Sequence, residues 1–182
     1  SFPGGAMPRL DGPLDNCAGA SVENKGANLL FAQQPIPGRD GDRWLWTPSE
    51  GFKKIDSVSF QPDSSKGWAQ LPASGKLHPA TLLSYGEIAR QAYSLLGADR
   101  AQYERSIVGA GDGEFDGAAY AGTACTPHMC TEEEALLALD ASAKKVYLAW
   151  KPMNEKIVVR PSVKEWPPKA RAALKDWAAK WK

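Results

Sequence analysis

Apolar residues recur at helical spacing in two stretches of the chain, with short strand-like runs between them. Tyr85, Ile88, Ala89, Ala92, Tyr93 and Leu96 fall on one face of a 3.6-residue repeat. Ahead of them Ser84-Tyr85-Gly86-Glu87 fits a capping box, in which the serine hydroxyl takes an orphan N–H and the glutamate reaches back. Gly97 supplies a left-handed stop, so the spacing predicts a helix over 85–96. Asp99 caps a second, short helix that runs through Ile107 and stops at Gly109. The last element begins at Pro167-Pro168, where proline suits a first helical turn. Ala170, Ala173, Leu174, Trp177 and Trp181 then form one stripe opposite a lysine-rich face, and core packing explains that stripe better than a membrane surface does.

Between these helices the pattern changes period. Ala118–Ala124 is a run of small residues, Val146–Trp150 is a strand, and Ile157–Val159 is another, closed by Pro161. Ala135–Leu139 is apolar at every position and fits a helix or a buried strand equally. Helix, short helix, antiparallel strands and helix together give an α+β fold, an antiparallel sheet packed by helices. The first half is different. Residues 1–79 hold nine of the 14 prolines and ten of the 17 glycines, which predicts an irregular, loop-rich N-terminal extension over 1–80 beside a domain at 81–182. Inside that extension Arg43-Trp44-Leu45-Trp46 is a short strand, and Ile55, Val58 and Phe60 partly alternate up to Pro62. Trp68 and Leu71 would anchor the extension on a core elsewhere.

Composition narrows the function classes. With 22 basic and 21 acidic side chains the net charge is +1, too low for a nucleic-acid binder working through bulk electrostatics. A hydrophobic share of 43% argues against disorder. No apolar run approaches the length of a membrane span. Ser1 opens no signal peptide and looks like a mature start, which leaves export open. The neutrality conceals two blocks, since residues 80–143 carry net −7 and residues 144–182 carry net +8. Such blocks either face each other or mark a partner-facing surface.

The most distinctive stretch is Cys125-Thr126-Pro127-His128-Met129-Cys130. A thiol–disulfide active site needs two residues between its cysteines, and here there are four. A zinc site would need Cys17 or His78 recruited from a distance. A structural disulfide with an ordinary loop histidine is a third reading. The fourth is a rigid presentation loop: a short disulfide fixes shape, Pro127 fixes one more backbone angle, and a preorganised loop loses little entropy on docking. His128, at its tip, can donate from both ring nitrogens when protonated, which suits a site holding two carboxylates. Glycosidases have such a site, with carboxyl groups roughly 5–9.5 Å apart.

This stretch resembles the Cys-Lys-Pro-His-Asp-Cys loop of the Ivy family, periplasmic bacterial inhibitors of vertebrate-type (C-type) lysozyme. The small-residue strand leading into it and the hairpin ending at Trp150 agree, and the resemblance spans about residues 84–160. It implies a non-enzymatic inhibitor without cofactor or metal, acting in the bacterial envelope on C-type lysozyme or on a lytic transglycosylase. It implies a Cys125–Cys130 disulfide, Pro127 as stiffener and His128 as the contact to the catalytic carboxylates. It also leaves room for a homodimer, as family members can dimerise. Thr126 stands where the family has a basic residue and Met129 where it has an acidic one. Glu132, Glu133 and Glu134 follow directly as a candidate acidic rim that would steer a basic lysozyme. The alternative is an envelope protein using the same domain as a scaffold for cell-wall or partner binding.

Other candidate sites carry weaker signals. Asp112, Glu114, Asp116 and Gly117 partly match a calcium loop, but Thr123 occupies the position that needs an acid. His78, before Pro79, is expected to be a solvent-exposed loop histidine. Cys17 is left over once Cys125 and Cys130 pair. Trp44, Trp46 and Trp68 have the chemistry to stack on sugar, though packing is the commoner use.

Overall fold

A computed structural model describes residues 10–12 and 20–181. The chain divides into two compact units, Ser1–Phe60 and Gln61–Lys182. The division thus falls about twenty residues before the expected one. The reason is packing: Trp68, Leu71 and Leu77 lie against the core of the second unit.

The first unit is more regular than its proline and glycine content suggests. Strands β1 (Ser21–Lys25), β2 (Asn28–Ala32), β3 (Gly41–Thr47) and β4 (Gly51–Val58) pair in sequence order as an antiparallel meander. Gly26 and Gly51, both at positive φ, sit where the chain reverses or re-enters the sheet. Two of the strands, Ser-Val-Glu-Asn-Lys and Gly-Phe-Lys-Lys-Ile-Asp-Ser-Val, are polar and mostly exposed, so their alternation is weak in sequence. Trp44 stands opposite Phe31 and Trp46 opposite Phe52, which puts all four aromatic rings on one face. Phe31 and Phe52 meet edge-on at 5.1 Å.

The second unit is a six-stranded antiparallel sheet in the order β10-β9-β8-β7-β6-β5. The strands are β5 (Gly75–Lys76), β6 (Gly111–Asp116), β7 (Ala119–Cys125), β8 (Glu134–Asp140), β9 (Lys145–Lys151) and β10 (Val158–Arg160). Helices α1 (Pro79–Leu82), α2 (Gly86–Leu96) and α3 (Arg100–Ser106) contribute to the core on one face, and α4 (Pro168–Ala178) to the core on the other. This explains the ambiguous run. Ala135, Leu137 and Leu139 face the first core while Leu136 and Ala138 face the second, so β8 is apolar throughout because both its faces are covered. Trp150 and Tyr103 are fully buried and meet edge-on at 5.7 Å, and the Trp150 indole donates to Gln102 Oε1 at 2.9 Å.

The helix spans match expectation to within a residue or two, but the capping box does not form. Tyr85 is the N-cap of α2. The Ser84 hydroxyl donates instead to the Thr81 carbonyl at 2.6 Å, and Glu87 accepts from the Trp68 N–H at 3.0 Å. A one-turn helix directly upstream gives Ser84 a nearer acceptor.

Candidate functional site

Strand β7 ends at Cys125, which pairs in register with Glu134 at the start of β8. The eight residues between them form a closed structure on the end of the sheet. Cys125 and Cys130 are joined by a disulfide across a Cα–Cα distance of 4.8 Å. Within that ring the Met129 N–H donates to the Thr126 carbonyl at 2.9 Å, closing a turn with Pro127 and His128 at its centre. Proline at the first central position and a positive φ at the second are the marks of a type II turn. His128 has φ 66°. Glycine would occupy that place without strain; a residue with a Cβ costs roughly 1–3 kcal/mol there. Pro127 and His128 are exposed, whereas Cys125 and Thr126 are buried. The fold therefore leaves the imidazole exposed on a ring with few internal degrees of freedom.

The ring is braced from behind. The Gly109 N–H donates to the Cys125 carbonyl at 2.8 Å and the Cys125 N–H to the Ala110 carbonyl at 3.1 Å. A Cβ on Gly109 would lie 2.4 Å from the Cys125 oxygen and 2.9 Å from the Pro127 nitrogen, so the two chains approach as only glycine permits. His78 fixes the far side of this brace. Its Nδ1 accepts from the Ala80 N–H at 3.2 Å, capping α1, and its Nε2 bonds the Gly109 carbonyl at 2.9 Å. That carbonyl can only accept, so Nε2 carries the hydrogen. The expectation of a solvent-exposed His78 is thus corrected: the ring is half-buried, with both nitrogens used.

The acidic rim is also corrected. Of its three members only Glu132 is exposed. Glu133 is 4% exposed and turned inward, accepting from the Thr126 hydroxyl at 2.7 Å and the Met153 N–H at 3.3 Å, with Arg105 at 3.5 Å. Burial works against its charged form, yet these donors outweigh it and hold the carboxyl below the ordinary glutamate range. Glu134 is likewise buried, receiving the Trp177 indole N–H at 2.7 Å and the Lys180 ammonium at 3.1 Å. Three consecutive glutamates look like a solvated run in sequence. Here one belongs to the loop's foundation and one to the packing of α4. Thr126, which stands where the resembled loop has a basic residue, is part of that same foundation.

The remaining candidates lie elsewhere. Asp112, Glu114 and Asp116 alternate along β6 and point outward, so they belong to a strand rather than an ion-binding loop. No group of three or more histidine, cysteine or acidic side chains is placed to hold a metal among the described residues. Trp44 and Trp46 belong to the first unit, while Trp68 packs on the core of the second. Cys17 lies outside the described residues. Sequence reasoning missed Arg105, Gly109 and Met153. Only Gly109 left a trace, as a helix stop whose second use was invisible.

The family described as inhibitor of vertebrate lysozyme (Ivy) matches residues 87–180. The family described as Y4bG N-terminal domain matches residues 1–59, ending where the first compact unit ends. Across all 182 residues the chain is 45% identical to the uncharacterized protein y4bG of Sinorhizobium fredii (strain NBRC 101917 / NGR234), spanning 67% of its length. No solved structure matches.

Proposed function

Because this chain belongs to the inhibitor of vertebrate lysozyme (Ivy) family, we propose that it is an exported, non-enzymatic inhibitor of a peptidoglycan-cleaving glycosidase, which inserts the Cys125–Cys130 loop into the catalytic cleft. C-type lysozyme is the first target and a bacterial lytic transglycosylase the second, and the periplasm is where either would be met. The observation that carries this reading is the exposed His128 at positive φ on the tip of a disulfide-closed, doubly braced ring. A glycosidase cleft presents an acid and a second carboxylate roughly 5–9.5 Å apart. A protonated imidazole placed between them offers a ring N–H donor to each side. It then occupies the place of the sugar. The ring is ordered before it docks, so little conformational entropy opposes binding.

The test is a lysozyme turnover assay with wild type and His128→Ala. Inhibition by wild type that falls at least a hundredfold in the variant, at unchanged melting temperature, supports the reading. Absence of inhibition by wild-type protein at micromolar concentration, for both target classes, sinks it. One observation favours a second role alongside it: Phe31, Trp44, Trp46 and Phe52 share one face of the first unit's sheet. Such a face suits cell-wall or partner-protein recognition, and co-sedimentation with purified sacculi tests that role.

A further inference from the structure

The disulfide loop has a neighbour built to the same plan. After β9 the chain turns at Pro152-Met153-Asn154-Glu155, closed by a Glu155 N–H to Pro152 carbonyl bond of 3.3 Å. Asn154 is the second central residue and has φ 60°. The ring at Thr126–Met129 has the same form, with His128 as its second central residue at φ 66°. Among the described residues only one other non-glycine, Lys144, has a positive φ. The two turns are tied together by a single side chain: one Glu133 oxygen takes the Thr126 hydroxyl and the other takes the Met153 N–H. Arg105, at the end of α3, completes the junction. A buried carboxylate bonded on both sides links its two clients, so the position of each turn depends on the other.

The exposed surface of the second turn has a definite chemistry. Met153 is 44% exposed, one of few large apolar side chains of the second unit turned to solvent. Asn154 beside it is exposed and offers an amide that both donates and accepts. A thioether next to an amide fits a surface that alternates aromatic rings with hydrogen-bonding groups. Sugar-binding subsites are such surfaces, since they stack on the pyranose faces and bond the polar substituents.

We infer that the Pro152–Glu155 turn is a second finger of the inhibitory surface, which lies on a sugar subsite of the target's cleft while His128 occupies the catalytic carboxylates. This rests on the proposed function and extends its footprint beyond the disulfide loop. Met153 supplies apolar contact to the subsite wall, and Asn154 engages the groups that would otherwise bind the sugar's polar substituents. Glu133 is a positioning residue that sets the spacing of the two fingers.

The experiment measures inhibition constants against purified C-type lysozyme for the full chain, His128→Ala, Met153→Glu and Asn154→Gly, with melting temperatures for each. Met153→Glu is expected to weaken inhibition at least tenfold without lowering the melting temperature, because the side chain is exposed. Asn154→Gly separates contact from turn geometry. Glycine suits a positive φ better than asparagine, so a purely structural Asn154 would give equal inhibition and an equal or higher melting temperature. The inference expects an equal or higher melting temperature with inhibition weakened several-fold. Inhibition within twofold of wild type for both variants, while His128→Ala loses a hundredfold, overturns the second finger and leaves the first. Equal inhibition by wild type and His128→Ala, or none by wild type, overturns the parent reading and this one with it.

Discussion

Adding one methyl group at Gly109 tests whether the brace behind the disulfide ring sets the position of His128. The alanine Cβ would stand 2.4 Å from the Cys125 oxygen, 2.9 Å from the Pro127 nitrogen and 3.2 Å from the Pro127 Cα. All three are backbone atoms and cannot swing aside. Restoring ordinary contact requires the two chains to part by about 1 Å. Neither side retreats freely, because the Gly109 carbonyl is held by His78 and the Cys125 end is held by its disulfide. The separation also stretches the 2.8 Å Gly109–Cys125 hydrogen bond past useful length. Overpacking of this kind costs roughly 1–3 kcal/mol, and a lost hydrogen bond accounts for about 1 kcal/mol of it. About 2 kcal/mol corresponds to a fall of roughly 4–8 °C in melting temperature for a domain of this size. The same displacement moves the exposed His128 relative to the rest of the inhibitory surface, so inhibition of lysozyme falls by at least tenfold, or about 1.4 kcal/mol. Thermal melting and turnover inhibition on the same preparation read the two effects. Wild-type values of both would refute the claim that this close approach holds the ring. A lower melting temperature with unchanged inhibition would limit Gly109 to a structural role.

Replacing Cys125 and Cys130 together by serine opens a ring with a sequence separation of five, for which chain entropy gives roughly 2 kcal/mol. The sheet and its two cores stay folded by circular dichroism, while inhibition weakens more than that stability change because the loop must now order on binding. Glu133→Gln keeps an acceptor oxygen for the Thr126 hydroxyl or the Met153 N–H but not for both, removes the charge facing Arg105, and destabilises by about 2 kcal/mol near neutral pH. The sign of its pH dependence follows from the depressed carboxyl. The wild-type advantage is complete above the ordinary glutamate value of 4.5 and disappears as pH falls through the lower folded value, so urea midpoints of the two proteins converge in acid.

What could be read ahead of the structure tracks how local each signal is. The loop Cys125–Cys130, the helix over α2 and the proline-started α4 are written in contiguous residues, and each appears where the sequence puts it. The glutamates after the loop illustrate the opposite case. Whether Glu132, Glu133 or Glu134 meets water depends on which way β8 faces and on Trp177, Lys180, Arg105 and Met153, each at least 20 residues from the glutamate it meets. No spacing rule reaches that far. The N-terminal sheet was hidden for another reason. Its strands are short and half-exposed, so charge dilutes the alternation, and glycine and proline in the turns dominate the composition. Ser84 shows a third limit, since a correct capping motif lost its acceptor role to a nearer carbonyl.

The charge blocks bear on how fast such an inhibitor finds its target. The −7 block contains the loop, and an acidic face there would steer a basic enzyme toward it. The fold uses much of that charge internally. Asp99 pairs with Arg160 at 3.4 Å, Asp116 with Lys169 at 2.6 Å and Glu134 with Lys180 at 3.1 Å, each joining the acidic block to the basic one. Glu104 and Glu133 are paired with Arg100 and Arg105 inside the acidic block itself. Beside the ring, Glu132 is the acid left exposed, with Asp112 and Glu114 further along β6. The field that reaches a partner is therefore that of a few carboxylates with basic groups interspersed, screened beyond about 8 Å at physiological ionic strength. Stopped-flow association with C-type lysozyme should accordingly slow by less than about tenfold between 20 and 150 mM salt, well short of the range that strong steering gives. A hundredfold fall would mean that the acidic block acts outward as one surface, and that the ion pairs between the two blocks do not hold in solution.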